Sequence, residues 1–465
     1  MATARDRLQA HQFLLQRTVS ALVTRETDPE QPPFRLPSAS AVAGIVLAVL
    51  ALGASGVYGL LSPGGDRSWQ DGKSVIVEKE TGTRYVYLNG KLDPVANYSS
   101  ALLALGSPAQ TQSVSAKSLA GVPRGPRIGI QDAPDALPTA DRVLGQGWTL
   151  CSQPGTDLAG ATAYRSTLFV GHEPPGGTPL GTRELLVRTP ESGDEYLVSG
   201  GYRHRIAAED AVAVGLALGS APVTRVGAAV VDVLPEGAPV APIALPDKGK
   251  PSQAVPGRAD LLTGQLLAMD TQFYLAEPAQ LRPITPLEYE IQRAYRPTTA
   301  AYGGAEPFPV RLSPIDLSGA KVADRPAATA RDLPPARPDF APAASGRVCL
   351  SFAPASFVPS VSVDNLLPPP ATTTAGRTEG GVALADQVVV PPGTAAVVEA
   401  MASDRAPAGT YAVVTDLGRT YPLGRPDVLE TLGYAGIRPV RVPAALVARV
   451  PQGPGLDRDA ALKQW

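Results

Sequence analysis

The stretch ASAVAGIVLAVLALGASGVYGLL, Ala39 to Leu61, constrains the chain more than any other feature: 23 consecutive residues carry no charge and no proline. As a helix rising ~1.5 Å per residue it covers about 35 Å, enough to cross the hydrocarbon core of a bilayer. Arg35 and Pro37 precede it, and Ser62, Pro63 and Asp66 close it. A cleaved signal peptide is the alternative, but its apolar stretch normally runs ~7–15 residues. Here the stretch is longer, follows a tail of 38 residues, and has no lipid-accepting cysteine behind it. An uncleaved, single-pass anchor is expected over 39–61.

Charge does not orient that helix. Arg25 and Arg35 lie within twenty residues before it, and Arg67, Lys73 and Lys79 within twenty after it, so the positive-inside rule gives no decision. The cysteines say more. Both of them, Cys151 and Cys349, fall on the large C-terminal side. An even count beyond an anchor fits a disulfide in an oxidising compartment, with two buried free thiols as the other reading. The expected topology is tail inside, bulk outside. Net charge is −2, with no long charge run and no basic patch, so nothing points to nucleic acid.

Beyond the anchor one small outline recurs. In TRYVYLNGKLDPV, Tyr85 and Tyr87 alternate with Val86 and Leu88, the period of a strand. Asn89-Gly90 is a two-residue hairpin signal, because a type I′ turn needs positive φ at both positions. Lys91 to Val95 is the return strand; Asn97 or Ser99 then caps a short helix ending at Leu105-Gly106. A second copy, DEYLVSGGYRHRIAAEDAVAVGLALG, has Tyr196 and a Gly200-Gly201 turn; a fourth, from Gly409 to Tyr434, has a longer turn and a helix from Pro426 to Gly433. The third, TQFYLAEPAQLRPITPLEYEIQRAY, keeps Tyr274, Pro283 and a helix begun by Pro286, without a glycine in its turn. A unit of ~25 residues cannot bury enough apolar area to stand alone. The first tyrosines are spaced irregularly, by 111, 78 and 137 residues, which excludes a stacked solenoid. The units are expected to lean on a scaffold, with strand-like pieces GWTLCSQ and GRVCLSF each carrying one cysteine. Pro235 to Pro256 and Pro326 to Pro342 read as extended connectors, and Leu366 to Gly381 as a mobile loop.

Catalytic constellations are absent from this reading. The three histidines, His11, His172 and His204, form no HExxH pair and match no zinc spacing with the cysteines; no GxSxG or GxGxxG occurs. Gly72-Lys73-Ser74 resembles the end of a phosphate-binding loop, but Arg67 stands where the first glycine is required. No catalytic, cofactor-binding or metal-binding residue is assigned. In the tail, Leu8, Phe13, Leu15, Val19 and Leu22 line a modestly amphipathic helix, suited to docking on another protein's helix.

The layout resembles the EccB family, a membrane component of the type VII (ESX) secretion machinery. The carriers are RDRLQAHQFLLQRTVSALV before one membrane helix, RIGIQDAPDALPTADRVLGQGWTLC from Arg127 to Cys151, VVVPPGTAAVV from Val388 to Val398, and the C-terminal YPLGRPDVLETLGYAGIRPVRVPAALVARVPQGPGLDRDAAL. Arg205, where the other units have proline, and the altered third turn are departures that affect unit boundaries.

The resemblance implies an α+β chain: a cytoplasmic tail, one transmembrane helix, and an elongated extracytoplasmic region. That region would have a disulfide-closed, mainly β central domain, with Cys151 and Cys349 as its bridge, and four small hairpin-plus-helix repeats. The corresponding divisions are a tail over 1–38 and a span over 39–61, then repeat 1 over 71–124 and a first central part over 125–175. Repeat 2 covers 180–235, repeat 3 covers 258–312, the second central part 345–405, and repeat 4 covers 406–455. The implied role is a structural core subunit supporting export of small helical proteins across the cytoplasmic membrane. The implied partners are EccC, EccD, EccE, further copies of the chain and, nearby, a mycosin protease. An ATPase activity is attributed to the family, and the sequence offers no motif to carry it. A membrane-anchored cell-wall-binding module is the alternative reading.

Overall fold

The computed structural model describes residues 3–25, 35–61, 67–207, 210–325, 327–342, 345–373, 376–378 and 380–464. Residues 26–34 of the expected tail, and Ser62, Pro63 and Asp66 beyond the expected span, lie outside them. The chain divides into two compact units, one of Met1–Asp71, Glu78–Gly82 and Ser113–Val122, the other of Gly72–Val77, Thr83–Gln112 and Pro123–Trp465.

In the first unit, α1 (Ala4–Thr24) begins with a capping box: the Thr3 side chain accepts from Asp6 N while the Asp6 carboxylate accepts from Thr3 N. Leu8, Phe13, Leu15 and Leu22 are all exposed on it. α2 spans Arg35–Leu61, starting four residues earlier than the sequence indicated. Pro37 is tolerated there because first-turn N–H groups have no intrahelical acceptor. Among the described residues this is the one helix long and apolar enough to cross a membrane, over Ser40–Val57. Val42, Ile45, Leu47, Leu50 and Leu52 are each more than half exposed, an apolar surface that suits hydrocarbon rather than water.

Four sheets share one strand order. The first contains β1 (Val75–Glu78), β2 (Arg84–Leu88), β3 (Lys91–Pro94) and β4 (Thr111–Val114), ordered β3-β2-β1-β4. Asn89 and Gly90, at φ 49° and 78°, make the turn that pairs Leu88 with Lys91, as the type I′ signal required. Asn97 caps α3 (Tyr98–Leu105), whose end Gly106 sits at φ 73°. A short α4 (Ala116–Leu119) follows β4.

Next come β5 (Val143–Leu144) and the first part of a six-stranded sheet: β6 (Trp148–Thr156), β7 (Thr162–Val170) and β8 (Thr178–Pro179). The second four-stranded sheet uses β9 (Leu185–Arg188), β10 (Glu195–Ser199), β11 (Tyr202–Arg205) and β12 (Val223–Arg225), with α5 (Asp210–Gly215) and α6 (Ala228–Val231). The third uses β13 (Leu266–Met269), β14 (Gln272–Ala276), β15 (Leu281–Ile284) and β16 (Val310–Arg311), with α7 (Pro286–Ala294) and α8 (Pro314–Gly319). β17 (Val348–Phe352), β18 (Ser360–Val363) and β19 (Gln387–Val389) then complete the six-stranded sheet, ordered β19-β7-β6-β17-β18-β8. The fourth sheet is β20 (Ala395–Met401), β21 (Thr410–Thr415), β22 (Thr420–Pro422) and β23 (Val440–Pro443), with α9 (Val428–Thr431), α10 (Ala444–Val447) and α11 (Arg458–Ala461). β20 falls within 345–405, the span expected for the second central part, yet it pairs with β21, β23 and β5. The expected helix from Pro426 to Gly433 shortens to α9.

In the second, third and fourth sheets the strands after the hairpin repeat one geometry. The first strand is antiparallel to the second and parallel to the fourth. In all four, a strap after the fourth strand runs beside the third. Leu92, Arg203, Leu281 and Thr420 each donate their N–H to a strap carbonyl, that of Pro123, Pro235, Lys321 and Pro451 respectively. Each also accepts from a strap N–H two residues later, that of Gly125, Gly237, Ala323 and Gly453. An edge strand is thereby covered.

Packing joins the sheets in pairs. Leu197, Val212 and Leu216 of the second sheet's segment cluster with Leu287 and Ile291 of α7. Gly215 permits this approach, since a Cβ there would lie 2.5 Å from Ile291 Cγ1. Likewise Val86, Leu102 and Leu103 share a core with Val397, Val413, Leu429 and Leu456. The largest core combines Trp148, Leu150 and Leu350 of the six-stranded sheet with Val187, Val198, Val398 and Val414. β20 is buried on both faces, Val397 on one core and Val398 on the other.

Candidate functional site

The six-stranded sheet is assembled from segments far apart in sequence, and its register explains how. β6 faces β17 antiparallel, Leu150 opposite Leu350, Cys151 opposite Cys349, Trp148 opposite Phe352. Side chains alternate across a sheet, so Trp148, Leu150, Val348, Leu350 and Phe352 enter the large core while both cysteines face the other side. There they form a disulfide with Cα atoms 4.0 Å apart, fully buried against Phe169. The bond spans 198 residues of sequence, a closure worth about 5 kcal/mol in the chain-entropy picture. Beside it, Thr149 and Ser351 share a hydrogen bond of 3.0 Å.

The segment expected as a mobile loop covers this face in part. Leu367 packs on the disulfide, the Gln153 side chain donates to the Pro368 carbonyl at 2.9 Å, and Arg165 Nη2 donates to the Thr372 carbonyl at 3.2 Å. Thr374, Ala375 and Glu379 lie outside the described residues. Arg165 is buried and faces Asp386 at 3.8 Å, while Asp386 accepts from Ser166 N and Oγ. A second buried arginine, Arg449, donates to the Ala383 carbonyl at 2.7 Å and faces Asp232 at 3.8 Å; burial lowers its pKa from the ordinary value. These contacts tie the sheets together.

The other residues singled out from the sequence are dispersed. His11 is exposed on α1. His172 stands edge-on to Phe169, ring centroids 5.1 Å apart. His204 is fully buried on β11, its Nδ1–H donating to the Ala238 carbonyl at 2.8 Å, and desolvation lowers its pKa. The described residues contain no cluster of His, Cys, Asp and Glu able to hold a metal ion. Gly72-Lys73-Ser74 leads straight into β1, not into the helix N-terminus that a phosphate-binding loop serves. Tyr85 and Tyr274 are buried within their sheets, with Arg124 stacked 4.4 Å from the Tyr85 ring.

A cavity of about 770 Å³ beside the second sheet is lined by Arg188, Asp194, Glu195 and Arg205. Its charges compensate one another: Arg188 pairs with Glu195 and Arg205 with Asp194. Sequence reasoning missed the strap, whose signal was present as Val122-Pro123-Arg124-Gly125, Leu234-Pro235-Glu236-Gly237 and Val450-Pro451-Gln452-Gly453. A Cβ on Gly125, Gly237 or Gly453 would fall within 2.5 Å of Asp93, His204 or Tyr421, so the glycine makes room for the side chain following each bridged strand residue.

Comparison with known proteins gives this arrangement a context. The chain is 29% identical over 486 positions to the ESX-2 secretion system ATPase EccB2 of Mycobacterium tuberculosis (strain ATCC 25618 / H37Rv), covering 98% of this chain and 94% of the relative. It is 26% identical to the ESX-1 secretion system ATPase EccB1 of Mycolicibacterium smegmatis (strain MKD8), over 99% of this chain and 95% of that one. The fold is similar to that in a structure of the EccB3 dimer from the ESX-3 core complex, with TM-score 0.63, 24% identity, and coverage of 84% of this chain and 100% of that one. It is also similar to a chain in an intact ESX-5 inner membrane complex, with TM-score 0.63, 22% identity, and coverage of 100% and 96%. The family described as type VII secretion system ESX-1, transport TM domain B, matches residues 1–465, and the chain belongs to this EccB family.

Proposed function

We propose that the chain is a structural core subunit of a type VII secretion membrane complex, supporting export of small helical proteins across the cytoplasmic membrane. The observation that carries this reading is a family match running through tail, apolar helix and sheets alike, residues 1–465. α1 lies on the cytoplasmic side, α2 crosses the membrane, and the disulfide-bridged sheet with its neighbours stands outside, where an oxidising environment maintains the bond. We take the four sheets that share this strand order as copies of one unit, within 71–124, 180–235, 258–312 and 406–455. The bridged central domain comes from 125–175 and 345–405, with β20 lent to the fourth copy. Further copies of the chain, EccC, EccD and EccE are its partners, with a mycosin protease nearby. A solved relative is a dimer within a core complex, which supports self-association. The wall-binding alternative is not favoured by a match that includes the tail and span. The relatives' names carry an ATPase; no residue of this chain is assigned nucleotide chemistry.

Export from cells lacking the chain tests the role. Small helical substrates should disappear from the culture medium and return with the intact chain, but not with a form lacking residues 1–61. Unchanged export in the deletion strain would contradict it.

A further inference from the structure

We propose that Thr372 and Thr373 form an O-glycosylation site, taking a sugar from a polyprenyl-phosphate donor on the outer side of the membrane. The inference rests on the outward topology proposed above.

An acceptor threonine must offer a free hydroxyl on backbone outside helix and strand, with small neighbours, so that a transferase cleft can reach it. Segments rich in Thr and Pro meet this composition, and proline holds the backbone extended. From Leu366 to Gly376 the chain reads LLPPPATTTAG, without a charge. Residues 366–371 adopt neither helix nor strand, and the chain bends at Thr372 and Thr373. The segment is nevertheless held in place. Leu366 N donates to the Pro175 carbonyl, Gln153 to the Pro368 carbonyl and Arg165 to the Thr372 carbonyl, and Pro370 lies against Gly155. Thr372 and Thr373 are exposed, and neither hydroxyl has a hydrogen bond among the described residues. Backbone is fixed and side chains are displayed.

Two other Pro- and Ala-rich segments show that composition alone does not produce this. In Pro297-Thr298-Thr299-Ala300 the chain is 3₁₀-helical; Thr298 is buried and accepts from Gln292, and Thr299 donates to the Arg296 carbonyl. In Ala328-Thr329-Ala330 the hydroxyl donates to Asp332 at 3.1 Å. Of these three segments, the one over the disulfide leaves its described threonine hydroxyls unengaged.

In the reaction the threonine Oγ attacks the anomeric carbon of the donor sugar. The bond from that carbon to the phosphate oxygen breaks, polyprenyl phosphate leaves, and a base of the transferase takes the hydroxyl proton. The test is fragmentation mass spectrometry, by electron transfer, of full-length protein extracted from its native membranes. Hexose increments on Thr372 or Thr373, lost in a Thr372→Ala/Thr373→Ala variant, are expected. In parallel, an Ala159→Cys variant is treated in intact cells with a membrane-impermeant maleimide, because Ala159 is exposed at the β6–β7 turn. Labelling at Ala159→Cys with both threonines unmodified overturns the site and leaves the topology standing. Absence of both labelling and sugar overturns the topology and the site with it.

Discussion

At His204 the chain buries an imidazole whose Nδ1–H is held by the Ala238 carbonyl and whose Nε2 meets no hydrogen-bond partner among the described residues. Burial lowers the folded pKa, opposed by that carbonyl and by the charge of Asp332. The unfolded chain, with a histidine pKa of ~6.5, therefore takes up the proton first as pH falls. Stability from this group is complete above about pH 6.5 and is lost as pH drops through the lower folded value. Denaturant midpoints of the intact protein should accordingly fall as pH drops below about 6.5, and a His204→Gln variant should show a shallower fall over the same range. Equal slopes would contradict the assignment. The sequence placed His204 in the second repeat but gave no sign of its burial, because alternation on β11 assigns a face without saying what covers it. The cover is the strap at Gly237.

The strap is an element-scale feature, and it accounts for what was legible and what was not. Asn89-Gly90 and Gly200-Gly201 declared their hairpins because those turns need positive φ, and Pro286 behind Thr285 declared the start of α7 with its capping box. β12 has three residues and α6 and α10 four each, too few for any period to emerge. Their evidence was the repeated Pro-x-Gly that follows them. Gly453→Ala would press a methyl group to 2.4 Å from the Tyr421 ring and is expected to cost about 1–3 kcal/mol. Ala323→Gly, at the same place in the third sheet, should cost less than about 1 kcal/mol. Chemical denaturation of both variants checks the pair; equal losses would mean the strap contact is not what the glycine serves.

On the scale of the whole molecule, the informative facts were the apolar run and the two cysteines. Both translate directly into structure: a helix with an exposed apolar surface, and strands β6 and β17 joined across 198 residues. The association of the second with the third sheet segment, and of the first with the fourth, was not legible. It depends on shared cores, one holding Leu216 and Ile291 and the other Val86 and Val413, which no local pattern encodes. The same cores show why the insertion between the bridged strands is tolerated, since the second sheet packs on the core of the sheet it interrupts and α7 of the third segment packs on the second.

The central claim is membership in a secretion assembly, and gentle detergent extraction of the tagged full-length chain from native membranes tests it most directly. Mass spectrometry of the extract should find EccC, EccD and EccE with the chain in stable proportion. Recovery of the chain alone, from extracts in which those partners are present and intact, would contradict the account.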